Sequence, residues 1–125
     1  GMEVCVGGII GMGETMRQRL ELAAEARDAG AVSMPVNLLH PIPGTPMEGT
    51  PLLDEDTVAR SIAIMRFVAP DLAIRFAGGR ARLTRRILHG GLNGIMIGDL
   101  LTTSGNDASS DFNLLHAEGF STVAN

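Results

Sequence analysis

Two side chains in this sequence are reactive or charged although they lie in apolar segments. Cys5, the only cysteine of the 125 residues, lies in an apolar segment before a run of glycines, and Arg75 lies within the apolar segment 72–77. A thiol acts through its thiolate, which binds metals and attacks electrophiles, but a lone cysteine on an apolar strand is more typically a small core residue. A charged side chain is seldom fully buried unless it is paired, so the position of Arg75 favours a functional role.

A glycine-rich segment follows Cys5. Its glycines are Gly7, Gly8, Gly11 and Gly13. Such a turn lets backbone N–H groups approach a ligand closely, because glycine has no Cβ and tolerates positive φ. Residues 4–15 therefore predict a strand that carries Cys5, then a glycine turn and the start of a helix.

The rest of the chain repeats this order of strand and helix. The predicted strands lie in the opening segment and at 31–39, 72–77 and 94–98. The predicted helices lie at about 15–30, 54–69, 80–89 and 109–119. No hairpin signal separates any two strands, so the alternation predicts an α/β domain with parallel strands and helices packed against them.

Local signals support the first two helices. Thr15 and Gln18 have the spacing of a capping box, in which each side chain satisfies a free backbone donor, and Gly30 suits the left-handed position after a helix end. The second helix carries an apolar stripe at helical spacing, formed by Val58, Ile62, Met65 and Ala69.

Two other segments allow more than one interpretation. Prolines and glycines between His40 and Pro51 exclude regular structure, and a loop of this length is typical of a lid or a binding loop. His40 itself is interpreted as a loop residue rather than a ligand. A cluster of arginines is interpreted as a solvated helix face, with phosphate or carboxylate binding as the alternative. Its members are Arg80, Arg82, Arg85 and Arg86.

Parallel sheets bind ligands at the C-terminal ends of their strands. The residues expected there are Cys5 with Gly7 and Gly8, Asn37 with His40, Arg75 with Gly78 and Gly79, and Thr102 with Thr103. By these signals alone, the chain is an α/β domain with an unassigned site.

The composition argues against several classes of protein. A formal charge of −4 and a pI near 5.2 argue against a surface for nucleic acid or for an anionic membrane. No apolar run approaches the roughly 20 residues needed to cross a bilayer. A single cysteine cannot form an internal disulfide, and no signal-peptide pattern opens the chain, so a cytoplasmic location is expected.

Five segments carry a more specific signal. They are the glycine-rich segment 5–15 and the segments 35–39, 44–46, 74–80 and 98–103. In this order they resemble the C-terminal half of the biotin synthase family, a group of radical S-adenosylmethionine enzymes. The resemblance implies half of a (β/α)8 barrel, with family strands five to eight, as one domain over 1–125. The region associated with biotin and thiamin synthesis would span roughly 36–125.

The resemblance also implies two iron–sulfur clusters. In this family a four-iron cluster cleaves S-adenosylmethionine to a 5′-deoxyadenosyl radical. A two-iron cluster, ligated by three cysteines and one arginine, gives up sulfur to dethiobiotin. By motif, Cys5 corresponds to the third cysteine and Arg75 to the arginine. This assignment would explain both the thiol before the glycines and the charge in the apolar segment.

Further binding residues follow from the same resemblance. The residues beside S-adenosylmethionine would be Gly7, Gly8, Ile9, Gly11 and Glu14. The residues near dethiobiotin would be Asn37, Thr102 and Thr103. The sequence departs from the family at Val6, where serine is frequent, and at Asp99, where some members carry a basic residue.

The cysteines that would complete both clusters are not in this sequence. One thiolate and one arginine cannot supply the four ligands of a two-iron cluster. The isolated chain is therefore expected to bind no iron and to depend on a missing N-terminal half. The alternative is a non-catalytic half-barrel that binds a small molecule or assembles. Its unpaired strand edges and open apolar face predict a homodimer.

Overall fold

A computed structural model describes residues 1–98 and 107–121 of the chain. The described part contains the strands β1 (Gly8–Ile10), β2 (Ser33–Leu38), β3 (Ala73–Phe76) and β4 (Gly94–Ile95). Its α-helices are α1 (Met16–Asp28), α2 (Glu55–Val68), α3 (Arg85–Leu88) and α4 (Ala108–Ala117). A short 3₁₀ helix, Arg80–Arg82, lies between β3 and α3. The predicted alternation of strands and helices is confirmed.

The strands form one parallel sheet in which each strand pairs with the next one along the chain. The register aligns Gly8 with Val36 and Val36 with Phe76. Parallel neighbours joined by helical crossovers are the repeating unit of a (β/α)8 barrel. The predicted fold class, half of such a barrel, is therefore confirmed. Within the described residues, β1 and β4 are the edges of the sheet.

One face of the sheet packs against the helices and forms the core. The strand residues in this core are buried at alternate positions, as the pleat requires. They include Met34, Val36, Ile74 and Phe76. The apolar stripe predicted for α2 packs into the same core, and each of its four residues has 0% exposure.

The other face of the sheet, which we call the open face, carries the remaining side chains of the strands. Its members are Cys5, Ile9, Ser33, Pro35, Asn37, Ala73 and Arg75, of which Ser33 is buried. Cys5, Ile9 and Arg75 are exposed, whereas Pro35, Asn37 and Ala73 are half-buried. In a closed barrel this face would point toward the barrel axis.

Capping residues stabilise both ends of α1 and the start of α2. The hydroxyl of Thr15 accepts from the Gln18 N–H at 3.3 Å, and Oε1 of Gln18 accepts from the Thr15 N–H at 2.8 Å. The capping box of α1 is therefore confirmed. Gly30, after the end of α1, has the predicted left-handed conformation, with φ of 73°. Asp54 caps α2 by accepting from the Thr57 N–H at 2.8 Å.

Several element bounds differ from the prediction. β1 begins at Gly8, inside the glycine run, and Cys5 forms only an isolated bridge with Ser33. Pro35 of β2 has no N–H to donate, which weakens the ladder between Cys5 and Gly8. The helix predicted at 80–89 is instead the 3₁₀ helix followed by α3. The strand predicted at 94–98 has only two residues.

Two predictions depend on which residues the structure describes, one about the substrate residues and one about membrane-spanning helices. Thr102 and Thr103, predicted to lie near the substrate, are outside the described residues. Among the helices of the described ranges, none combines the length and the apolar character needed to span a membrane.

Candidate functional site

Cys5 and Arg75, the predicted cluster ligands, lie on the same face of the sheet. Cys5 aligns with Ser33, which aligns with Ala73, and Arg75 is two residues further along β3. Two strand spacings, about 10 Å in all, therefore separate them across the sheet. Both side chains are exposed. The open face thus presents a thiol and a guanidinium on one surface without joining them.

The side chain of Arg75 extends over β4. A Cβ atom added to Gly94 would lie 3.2 Å from Cγ of Arg75 and 3.9 Å from its Nε. The arginine therefore crosses the glycine and runs away from Cys5. Within residues 1–98 and 107–121, Arg75 makes no hydrogen bond or ion pair. Its charge is solvated, because the side chain is exposed on the open face.

The prediction that Cys5 lies at a C-terminal strand end is wrong. Cys5 aligns with Ser33, the first residue of β2, so it lies near the N-terminal ends of the strands. Arg75 aligns with Pro35, in the middle of β2. The cause is that the strand continues past Gly7 and Gly8 to Ile10, so Cys5 precedes it. Asn37 does lie near the C-terminal end of β2, as predicted.

Gly7 and Gly8 lie where a side chain would meet a neighbouring element, with a rigid neighbour at Gly7 and a flexible one at Gly8. A Cβ atom on Gly7 would lie 2.1 Å from the carbonyl oxygen of Pro35, and one on Gly8 would lie 2.7 Å from Cδ2 of Leu22 in α1. Both distances are shorter than any real contact of a Cβ atom. The absence of these side chains therefore lets β1 approach β2 on one side and α1 on the other.

The turn after β1 is closed by its own glutamate. Gly11 and Gly13 have left-handed φ values of 101° and 99°. Oε1 of Glu14 accepts from the Gly11 N–H at 2.8 Å, and Oε2 accepts from the Met12 N–H at 2.7 Å. In this structure these two N–H groups are therefore occupied by Glu14. The assignment of the turn to a ligand stays a prediction.

The hydrogen bonds at Glu14 favour its ionised form. Burial of the carboxyl group opposes ionisation, but hydrogen bonds from the Gly11 N–H and then from Arg19 outweigh it. The pKa of Glu14 therefore lies below its ordinary value. The glutamate is a stable anion within the turn.

Arg19 is a site residue that the sequence interpretation missed. Its Nε donates to Oε1 of Glu14 at 2.6 Å, and its Nη1 donates to Oγ of Ser61 in α2 at 3.1 Å. Only 5% of Arg19 is exposed. A signal was present in the sequence, because Arg19 occupies the same helical stripe as the buried residues Ala23 and Ala26.

Asn37 links two neighbouring segments of backbone. Its Nδ2 donates to the carbonyl of Gly8 at 3.2 Å, and its Oδ1 accepts from the Gly78 N–H at 2.8 Å. A Cβ atom on Gly78 would lie 2.9 Å from Oδ1 of Asn37, so the glycine makes room for this bridge. The amide thus fastens β2 to β1 and to the residues after β3.

The interpretation of the arginine cluster as a solvated helix face is wrong for Arg80. Its side chain is 3% exposed, and its Nε lies 3.2 Å from Oδ2 of Asp111, which is 2% exposed. Arg82 is half-buried and donates to the carbonyl of Leu53. Arg85 and Arg86 are exposed, as expected for a solvated face. The 3₁₀ helix explains the difference, because it turns the first arginine inward.

The loop that begins at His40 is stabilised by hydrogen bonds between its own residues. Thr45 donates through its hydroxyl to the carbonyl of Ile42 at 2.7 Å, and the Gly44 N–H donates to Oε2 of Glu48 at 2.7 Å. His40 is exposed. The interpretation of this loop as a lid or a binding loop remains a prediction.

Residues 1–98 and 107–121 contain no group of three or more His, Cys, Asp and Glu side chains that could hold a metal ion. The ligands that this chain would supply to the two-iron site are Cys5 and Arg75. Two donors do not complete a cluster that needs four ligands, so the described residues do not fit the cluster by themselves.

The family match and the similar known proteins agree with one another. Residues 35–121 match the family described as the Biotin and Thiamin Synthesis associated domain. The biotin synthase of Parabacteroides distasonis is 48% identical over 129 aligned positions, which cover 100% of this chain and 39% of that protein. The biotin synthase of Porphyromonas gingivalis is 47% identical over 124 positions, which cover 96% of this chain and 38% of that protein.

The matched part is the C-terminal portion of these relatives. The chain spans about two fifths of the length of the curated relatives that it matches. The parallel sheet with its helices agrees with such a portion of a barrel. The family match covers more than half of the chain. The chain belongs to the Biotin and Thiamin Synthesis associated domain family, and it corresponds to the C-terminal portion of biotin synthases.

Proposed function

We propose that this chain acts as the C-terminal part of an enzyme that inserts sulfur into dethiobiotin to form biotin. The observation that carries the proposal is the shared position of Cys5 and Arg75 on the open face. A thiol and a guanidinium on the surface that would face a barrel axis are suited to a shared cofactor, and among the described residues Arg75 makes no hydrogen bond or ion pair that would compete. The similarity to biotin synthases over the whole chain supports the same assignment.

The cofactors of this proposal are a two-iron cluster and S-adenosylmethionine. Cys5 and Arg75 would supply two of the cluster's ligands, and the cluster would supply the sulfur atom. The other ligands must come from another polypeptide segment, because Cys5 is the only cysteine of the chain. We therefore propose that the isolated chain holds no cluster and catalyses no turnover. Its partner is the N-terminal half of the barrel, and its proposed location is the cytoplasm.

Two groups of binding residues belong to this proposal. The segment with Gly7, Gly8, Ile9, Gly11 and Glu14 would border S-adenosylmethionine. Its backbone is well defined, because Glu14 binds the N–H groups of Gly11 and Met12. Asn37, Thr102 and Thr103 would contact dethiobiotin. The open-face position of Asn37 supports its assignment.

A chimera tests this function. The chain replaces the matching C-terminal portion of the Parabacteroides distasonis biotin synthase, to which it is 48% identical. We expect the chimera to restore growth without biotin in a bacterium that lacks biotin synthase, and to convert dethiobiotin to biotin after anaerobic reconstitution. A folded chimera that contains both clusters and forms no biotin would contradict the proposal.

Variants of the chimera test the two ligands. We expect Cys5→Ala to abolish biotin formation and the absorption of the two-iron cluster. We expect Arg75→Met to change the wavelength of that absorption, because the cluster would lose a nitrogen ligand. Arg60→Met is the control, since Arg60 is an exposed arginine on α2. An unchanged spectrum in both the Cys5 and Arg75 variants would rule out the ligand assignment.

The edges of the sheet favour a second candidate, a non-catalytic half-barrel that pairs with a second copy of itself. β1 and β4 are edges within the described residues, and Ile9 on the open face is 49% exposed. Such edges and apolar surface are stabilised by pairing. Sedimentation of the purified chain at tens of micromolar tests this candidate. A homodimer supports it, and a monomer at all concentrations counts against it.

A further inference from the structure

The glycine turn is connected to the second helix of the fold through one buried side chain. Arg19 of α1 reaches the turn with Nε, which donates to the carboxylate of Glu14, and with Nη2, which donates to the carbonyl of Glu14 at 3.3 Å. Its third nitrogen, Nη1, donates to the hydroxyl of Ser61 on α2. One planar group therefore joins the turn to two helices.

Each partner of Arg19 is held by further hydrogen bonds. The hydroxyl of Ser61 donates to the carbonyl of Thr57 at 2.7 Å, so its oxygen is oriented to accept from the arginine. The oxygens of Glu14 also accept from the N–H groups of Gly11 and Met12. The chain of contacts therefore runs from α2 through Ser61 and Arg19 to the backbone of the turn.

The type of side chain matters at this position. An arginine can bind separate acceptors with its different nitrogens, because its donors are fixed in one plane, whereas a lysine ends in a single ammonium. The guanidinium is almost fully enclosed, since the side chain of Arg19 is 6% exposed, whereas that of Glu14 is 18% exposed. Charge-assisted hydrogen bonds are strong in such surroundings.

We propose that Arg19 is a positioning residue for the glycine turn. Anchored on Ser61, it orients the carboxylate of Glu14, which fixes the backbone of Gly11 and Met12. The surface that the turn offers to a ligand is set by this contact with α2. The inference rests on the proposed function in one respect, since S-adenosylmethionine is the ligand proposed for the turn.

Amide hydrogen exchange of the purified chain, followed by NMR, tests the positioning role. The variants are Arg19→Lys, which keeps the charge, and Ser61→Ala, which removes only the anchor on α2. Arg17→Lys is the matched control, because Nε of Arg17 binds Oε1 of Glu21 at 2.8 Å on the exposed side of the same helix.

We expect Arg19→Lys to accelerate exchange at Gly11 and Met12 about tenfold, because their acceptor loses its orientation. Ser61→Ala should accelerate the same two amides about threefold. The amides of β2 should change less than about twofold in either variant. Unchanged exchange at Gly11 and Met12 in both variants, or the same acceleration in the Arg17 control, would overturn the inference.

A second readout concerns the ligand. In an active chimera we expect Arg19→Lys to raise the KM for S-adenosylmethionine about fivefold while kcat stays within about twofold. An unchanged KM would overturn the role in the ligand site. An inactive chimera with the unmodified chain would instead refute the proposed function. The exchange experiment does not need catalysis, so it then decides the inference by itself.

Discussion

Nε of Arg80 lies 3.2 Å from Oδ2 of Asp111, and their side chains are 3% and 2% exposed. The pair joins the 3₁₀ helix after β3 to α4. Arg80 also donates through Nη2 to the carbonyl of Gly98. A buried pair of this kind matters most when one partner is removed, because the other charge is then left without compensation.

Asp111→Ala should lower the free energy of unfolding by about 3 kcal/mol, because it leaves the guanidinium of Arg80 buried without its carboxylate. Urea denaturation followed by circular dichroism measures this change. Asp107→Ala is the matched control, since Asp107 is exposed and precedes the same helix. Equal losses in the two variants would show that the buried pair has no special role.

Gly7→Ala and Gly8→Ala form a second pair of variants. The added Cβ atom of Gly7→Ala would meet the backbone oxygen of Pro35 at 2.1 Å, whereas that of Gly8→Ala would meet the flexible end of Leu22 at 2.7 Å. We expect a loss of about 3 kcal/mol or more for Gly7→Ala and about 1 kcal/mol for Gly8→Ala, because only a side chain can move aside. Thermal unfolding measures both, and a larger loss for Gly8→Ala would contradict this reading of the packing.

Glu14→Gln should make the stability of the chain less dependent on pH. The pKa of Glu14 is lowered in the folded state, so its stabilising contribution is present above the ordinary pKa of glutamate, about 4.3. That contribution disappears as the pH falls through the lower folded value. The melting temperature of the unmodified chain should therefore exceed that of Glu14→Gln at pH 7, and the difference should shrink as the pH falls below the ordinary pKa of glutamate. Glu21→Gln, in an exposed pair on α1, is the control. A difference that does not depend on pH would refute the explanation.

Asn37→Ala should lower the free energy of unfolding by about 2 kcal/mol. The variant removes the amide that binds the carbonyl of Gly8 and the N–H of Gly78, and it leaves both groups without this partner. Asn113→Ala, at an exposed position of α4, should be close to neutral. Chemical denaturation of both variants provides the measurement. If Asn37→Ala were as stable as the unmodified chain, the bridge would have no structural importance.

Thr15→Ala should cost about 1 kcal/mol of stability, because the hydroxyl of Thr15 caps the first turn of α1. The variant should also unfold α1 earlier than the rest of the fold, which exchange of the amides near Gln18 would detect. Thr50→Ala is the control, since Thr50 lies in the loop before α2. Equal effects of the two substitutions would argue against the capping box as the cause.

Much of the fold could be predicted because its signals are local. The capping pair Thr15 and Gln18 and the left-handed Gly30 depend on a few adjacent residues. The apolar stripe of α2 depends only on helical periodicity. The parallel orientation of the strands follows from the absence of hairpins, since parallel neighbours need a helical crossover between them.

The bounds of β1 could not be predicted in the same way. Its start depends on Pro35, which lies far along the chain and cannot donate to the ladder. Because β1 continues to Ile10, Cys5 precedes the strand and lies near the N-terminal ends of its neighbours. Its place on the same face as Arg75 follows from the alternation of residues along paired strands.

The sequence by itself determined the family and the α/β architecture, and it singled out Cys5 and Arg75 as candidate ligands. Motif order and periodicity are properties of the chain alone. Only the tertiary structure decided which polar groups are paired. It showed that Glu14 fills the glycine turn, that Arg19 reaches Ser61, and that Arg80 meets Asp111. The last two pairs join residues from different elements, and the orientation of a side chain toward another element depends on packing that no local pattern records.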